Sequence, residues 1–168
     1  MFCSKSVAWL YRADKSFSWD SGIPVQADQV FLDATGKVRL VIETSGRMTV
    51  TRGYSWNGCS PKFCFLDLLI GTPDGVVDAD TGRPKTYFAS MVHDALYQFL
   101  RAESPISRRE ADRCFLRLLT ESHFALRYVY WAAVRVFGRL VWHGKRVTRR
   151  WAGRRLVIAD LSEPSLRT

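Results

Sequence analysis

The hydrophobic pattern of this chain changes once along its length, and the change limits the folds open to it. In the first third, apolar residues alternate, as in 38–43, where Val38, Leu40 and Ile42 share one face. This period of two is typical of a half-buried strand. Beyond about residue 86, apolar residues recur every three or four positions, which is typical of amphipathic helices. Strands that precede helices indicate an α+β fold.

The first third predicts a small antiparallel sheet. Turn residues stand on both sides of strand 38–43, at Asp33–Gly36 and at Ser45-Gly46. A hairpin through the second turn makes the following residues the return strand. The other predicted strands are the return strand 47–51, a weaker candidate at 25–32 and one that contains Trp9 and Tyr11.

A stretch rich in glycine and proline, residues 57–85, separates the predicted strands from the helices. A loop of this length is uncommon in a compact domain unless it has a function. We predict a short apolar helix inside it, at 63–70. Asp78–Gly82 is interpreted as a turn, because an EF-hand calcium loop needs an acid at its twelfth position, which is Ala89 here.

The last part of the domain predicts a helical hairpin followed by a third, basic and aromatic helix. A break at 103–105 separates the first two helices, and Ser107-Arg-Arg-Glu110 forms a capping box that starts the second. The length of 168 residues fits about one domain. The predicted organisation is one α+β domain, 1–142 (β-rich 1–56, loop-rich 57–85, helical 86–142), and a basic arm with a polar tail, 143–168.

Positive charge is concentrated near the end of the chain. The net charge is +9, and residues 123–156 hold nine basic and no acidic residues, which leaves the rest neutral. This asymmetry predicts an anionic partner: a membrane surface, a nucleic acid or an acidic protein. Nucleic acid would be held by phosphate contacts, with no sign of base recognition. The candidate anion-binding residues are Lys145, Arg146, Arg149, Arg150, Arg154 and Arg155.

The third helix, residues 124–142, is both aromatic and basic. Three arginines within it argue against a transmembrane span. A helix lying in a membrane interface fits this composition, and so does a core helix whose arginine stems cover apolar surface. For residues 124–138 we favour the core helix, and for 145–155 an exposed arm.

Cysteine usage and the N-terminus bear on the compartment. Four cysteines are too few for a disulfide scaffold, and no signal peptide is recognised, so free thiols in a reducing compartment are expected. Cys59 is a weak candidate nucleophile with His93 as its base. The Cys and His spacings do not fit a structural zinc site.

The strongest candidate for chemistry is the helical segment around His93. His93 and Tyr97 are four residues apart and share a face, whereas Asp94 points about 100° away. Asp112 lies on a largely apolar stripe of the second helix and needs a partner. If the two helices pack antiparallel, Asp112 meets His93 or Tyr97, which is the geometry of a general base. A satisfied structural pair is the alternative.

The loop Gly53–Pro61 is a second candidate. Its small residues expose backbone carbonyls that could coordinate a hard cation such as calcium. A plain turn at Asn57-Gly58 is the favoured alternative.

These segments, in this order, resemble a family of small phage and prophage proteins catalogued as a domain of unknown function. The resemblance covers about residues 24–138 and implies a phage context, in the host bacterial cytoplasm or in a virion, without an activity. In this chain, Asn57 and Cys59 stand where the family has Asp and Ala, and Pro61 comes one place early. The segments that carry the resemblance are Gly53 with Asn57-Gly-Cys-Ser-Pro61, His93-Asp-Ala-Leu-Tyr97, Ser107-Arg-Arg-Glu-Ala-Asp-Arg-Cys-Phe115 and Tyr130-Trp-Ala-Ala-Val-Arg-Val-Phe-Gly138.

The His-Asp-x-x-Tyr sequence followed by a later Asp is also similar to secreted phospholipases of the A-two type. That resemblance implies His93 as the base that activates water, with Asp112 and Tyr97 as its supports. It implies Asp94 as a calcium ligand and 54–58, with Tyr54, Asn57 and Gly58, as the calcium loop. The disulfides of that family are absent here, and the loop lies far upstream of His93.

The leading hypothesis is therefore a phage-encoded, membrane-proximal hydrolase that cleaves a lipid ester and uses optional calcium. One alternative is a non-catalytic virion or assembly protein whose His-Asp-Tyr cluster only holds helices together. A further alternative is an accessory protein that binds nucleic acid through the basic arm. An enzyme should leave His93 open to a cleft, whereas a structural role should bury it.

Overall fold

A computed structural model describes residues 11–33, 35–59, 62–65, 68–71, 74–99, 105–143 and 154–158. Antiparallel strands precede the helices, so the predicted α+β class is confirmed. In chain order the elements are β1 (Tyr11–Arg12), β2 (Phe17–Asp20), β3 (Asp28–Leu32), β4 (Val38–Ile42), β5 (Arg47–Val50), β6 (Ser55–Trp56), β7 (Lys62–Phe65), β8 (Leu68–Gly71), α1 (Tyr87–Phe99), α2 (Arg108–Glu121), α3 (Arg127–His143) and β9 (Arg154–Ile158).

The chain divides into two compact units. Unit 1 comprises residues 1–12, 55–94 and 108–144, and unit 2 comprises residues 13–54, 95–107 and 145–168. Helix α1 crosses the boundary, with its last residues, 95–99, in unit 2.

Unit 2 is built on a five-stranded antiparallel sheet with the strand order β2-β5-β4-β3-β9. The predicted hairpin of β4 and β5 is confirmed, with Leu40 opposite Val50 and Ile42 opposite Met48. These four side chains are all buried, as the alternating pattern requires. Near the end of α1, the Phe99 ring lies 6.1 Å from that of Phe31.

The turn between β4 and β5 requires its glycine. Gly46 has a φ of +88°, in the left-handed region that side chains disfavour. A Cβ at this position would lie 2.8 Å from the backbone N and O of Ile23. The Gly46 carbonyl also accepts a hydrogen bond from the Ser21 hydroxyl at 2.6 Å. The close approach of the segment before β3 therefore depends on the absence of a side chain.

Strand β9 is a difference from the sequence prediction. Arg154 and Arg155, expected in an exposed arm, pair in the backbone ladder with Leu32 and Phe31 of β3. The physical reason is the run Leu156-Val-Ile158 that follows them, because branched apolar residues favour a strand.

The short helix predicted at 63–70 is wrong. Unit 1 has the hairpin of β7 and β8 there, with Phe63 opposite Ile70 and Cys64 opposite Leu69. A short apolar run has no period that distinguishes a helix from a strand, and the strands here are only four residues long. Unit 1 also holds the pairing of β1 with β6, where Tyr11 lies opposite Trp56.

The three predicted helices are confirmed, with shifted ends. Helix α2 begins one residue after Ser107, as the capping box predicts, and it buries the expected apolar face. In the described part of the chain, no helix is both long and apolar enough to cross a membrane. The buried side chains of α2 are Ala111, Asp112, Cys114, Phe115, Leu118 and Leu119.

Candidate functional site

The most prominent polar feature of unit 1 is a buried cluster of charged side chains centred on Asp112. The Asp112 carboxylate has no exposed surface, although it lies on the apolar face of α2. A carboxylate in this position must receive hydrogen bonds or counter-charges, since an isolated buried charge is very costly. Its partners come from all three helices.

The two carboxylate oxygens face different helices. Oδ1 lies 3.2 Å from Nε2 of His93 on α1. Oδ2 accepts a hydrogen bond from Nη1 of Arg135 on α3 at 3.0 Å, and Nη1 of Arg108 lies 3.6 Å from the same oxygen. Arg108 also donates to the backbone carbonyl of Arg135 at 3.2 Å. One carboxylate thus connects α1, α2 and α3.

His93 is itself buried, with an exposed fraction of 6 %. Its ring packs against that of Phe115, with 4.9 Å between centroids. With Nε2 directed at Asp112, the other ring nitrogen, Nδ1, lies 4.0 Å from Oδ1 of half-buried Asp94. The network therefore fixes the ring orientation and favours a proton on Nε2.

The predicted pairing of His93 with Asp112 is observed, and its chemical role stays a prediction. Tyr97 is half-buried one turn after His93, in the part of α1 that belongs to unit 2. Sequence reasoning missed Arg135, which it assigned to a core helix with a snorkelling side chain. A signal was present, because a charge on a core helix and a buried carboxylate each need a partner.

The proposed calcium loop is divided between the two units. Tyr54 is buried in unit 2, where its carbonyl accepts from the Ala13 N–H at 2.8 Å and its hydroxyl donates to Gln98 at 3.0 Å. Asn57 and Gly58 lie in unit 1 directly after β6, and Gly58 has a φ of +75° at a bend. Among the described residues, no group of three or more His, Cys, Asp or Glu could hold a metal ion. The assignment of calcium to this loop stays a prediction.

The loop is anchored in unit 1 by Asp74, which sequence reasoning also missed. The buried Cys59 donates its backbone N–H to Oδ1 of Asp74 at 2.8 Å. The Tyr11 hydroxyl donates to Oδ2 at 3.0 Å, and the Thr86 hydroxyl to the Asp74 carbonyl. Burial, together with the charge of Asp74, raises the pKa of Tyr11 to about 12. Asp74 therefore joins β1, the loop and the start of α1.

The predicted arm is only partly described. Lys145, Arg146, Arg149 and Arg150 lie outside the described residues. Arg154 and Arg155 belong to β9, in which only the backbone is described.

Residues 77–134 match the profile of a family described as "Protein of unknown function (DUF1353)". The matched stretch is similar to that family. It contains His93, Asp94 and Asp112, and it ends one residue before Arg135. No curated protein and no solved structure matches the chain.

Proposed function

We propose that the protein is a non-catalytic binding component. In this proposal, the cluster of His93, Asp112 and Arg135 is a structural lock between three helices, and the cationic end of the chain engages an anionic partner. The main support for this proposal is that Asp112 and His93 are both buried. In addition, Asp112 has partners on α1, α2 and α3. A general base must reach a substrate or its water, and burial opposes this.

The charge balance of the cluster supports the same proposal. The Asp112 carboxylate faces Arg135 and Arg108 as well as His93, so its negative charge is shared among three partners and is not reserved for the imidazole. Removal of a single member of a buried charge network leaves the others uncompensated, which strongly destabilises the packing that the network holds.

The phage context belongs to this proposal and is supported by the resemblance of the helical segments. A virion or assembly component that acts in the host cytoplasm or in the particle needs no chemistry of its own. Its anionic partner would be a membrane surface, another phage component or, third, a nucleic acid bound through phosphates.

A calcium-dependent lipid ester hydrolase is the second candidate, and one observation favours it. If neutral His93 donates Nε2–H to Asp112, its lone pair is on Nδ1, which lies 4.0 Å from Oδ1 of Asp94. In this alternative, Nδ1 accepts a proton from a water molecule that attacks the ester carbonyl. Asp94 would bind the calcium ion, and Tyr97 would support Asp112.

The variant His93→Gln distinguishes the two candidates, because glutamine can donate a hydrogen bond to Asp112 but cannot act as a base. We expect no release of fatty acid from anionic liposomes by the wild type or the variant, with calcium or with chelator. We also expect a loss of about 1 kcal/mol in the free energy of unfolding, from the weaker hydrogen bond. Calcium-dependent release by the wild type that the folded variant loses would overturn the structural proposal.

A further inference from the structure

We propose that the outward face of α3 is a docking surface for an anionic lipid bilayer. The outward face is defined by Tyr128, Val129, Ala132 and Val136. This inference rests on the proposed function, because it identifies the anionic partner that the proposed binding component would engage.

The outward face is apolar and open. Tyr128 is 62 % exposed, Val129 63 % and Val136 66 %, and Ala132 between them is exposed as well. Residues 129, 132 and 136 follow helical spacing and therefore share one side. The opposite side holds the buried residues Tyr130, Val134 and Gly138. Helix α3 is thus apolar on its buried side and on its solvent-exposed side.

Arg135 on α3 shows the reverse of the usual arrangement of charged side chains. Arg135 is directed at Asp112. Arg127 donates to the carbonyl of Phe124 at 3.4 Å, and its guanidinium lies over the Tyr128 ring, 4.9 Å from the centroid. Within residues 127–138 these are the charged residues of the sequence. A surface helix normally places its charges outward and its apolar stripe inward. A helix that turns Arg135 inward and presents mainly apolar side chains outward is completed by an apolar environment on its outer side.

The charge of the sequence next to α3 indicates which kind of partner binds the outward face. Residues 139–150, at the end of α3 and directly after it in the sequence, carry five basic and no acidic residues. A second copy of this chain would bring two such segments together, and their like charges would repel. A nucleic acid would match the charge but leave the apolar face uncovered. An anionic bilayer matches both, with phosphates for the cations and acyl chains for the apolar face.

The mode of binding follows from the length and placement of α3. No helix of the described chain is able to span a bilayer, and one side of α3 is already packed in unit 1. The helix would therefore lie in the plane of the interface, with its outward face at the boundary between headgroups and acyl chains. The ring of Tyr128 suits that boundary, because it has an apolar body and a polar tip.

The test compares three proteins in a vesicle sedimentation assay: the wild type, Val129→Ser/Val136→Ser, and the control Val129→Leu/Val136→Leu. The vesicles contain phosphatidylcholine alone, or phosphatidylcholine and phosphatidylglycerol in equal parts. We expect the wild type to bind the mixed vesicles at least about tenfold more tightly than the neutral ones. The serine variant should bind about 30-fold more weakly, and the leucine variant as tightly as the wild type or better.

Other outcomes overturn the inference. If the serine variant binds as the wild type does, the basic segment acts alone and the face is not part of the contact. If the folded wild type binds no vesicles, the partner is a protein or a nucleic acid. Neither outcome changes the fatty-acid assay on His93, so failure of this inference is distinguishable from failure of the proposed function. Both positions are exposed, so the variants should fold.

Discussion

Replacement of Asp112 by alanine should lower the free energy of unfolding by about 3–5 kcal/mol. The carboxylate is the shared counter-charge of His93, Arg108 and Arg135 in a buried position. Without it, the two guanidinium groups face each other and the imidazole with no compensating charge. The variant also leaves a cavity between the helices, which adds to the loss.

Urea denaturation at neutral pH measures this effect. Glu121→Ala is the matched control, because it removes an acid from the same helix at an exposed position. We expect the control to change the free energy of unfolding by no more than about 0.5 kcal/mol. A loss below about 1 kcal/mol for Asp112→Ala would mean that the cluster is not a major source of stability.

The second large effect is expected at Trp56, where alanine should cost about 3–5 kcal/mol. The Trp56 side chain is fully buried in unit 1, and its ring lies 5.5 Å from that of Tyr11 and 4.9 Å from that of Tyr87. Its indole N–H donates to the Ser90 hydroxyl at 3.1 Å. Truncation therefore removes the contact through which β6 packs on α1.

Trp19→Ala provides the comparison for this prediction. Trp19 is half-buried on β2, a strand at the edge of the sheet in unit 2. We expect a loss of about 1 kcal/mol for it, because less apolar surface is removed from contact. Equal losses for the two tryptophans, measured by thermal or chemical unfolding, would contradict the central position given to Trp56.

Elements with a clear period could be predicted from the sequence, and elements that depend on distant partners could not. The hairpin of β4 and β5 has alternation and turn residues on both sides, and α2 has a cap and a 3.6-residue stripe. Strand β9 pairs with β3 from the other end of the chain, and no local signal marks such a pairing. The strands β7 and β8 are too short for their period to be read.

The candidate site, like the fold, could be predicted from the sequence only in part. The pairing of His93 with Asp112 follows from two helical faces and one buried acid that needs a partner. The contact of Arg135 with Asp112 could not be predicted in the same way. Helical spacing alone does not distinguish an arginine that turns inward to a carboxylate from one whose guanidinium reaches water. The same ambiguity concealed the apolar outward face of α3, since the arginines were expected to cover apolar surface.

The most direct test of the lock is a double-mutant cycle between Asp112 and Arg135. The free energy of unfolding is measured for the wild type, Asp112→Ala, Arg135→Ala and the double variant. If the pair locks α3 to α2, the double variant should be about as stable as Asp112→Ala alone, with a coupling energy of about 2 kcal/mol. Losses that simply add, with a coupling energy near zero, would contradict the account.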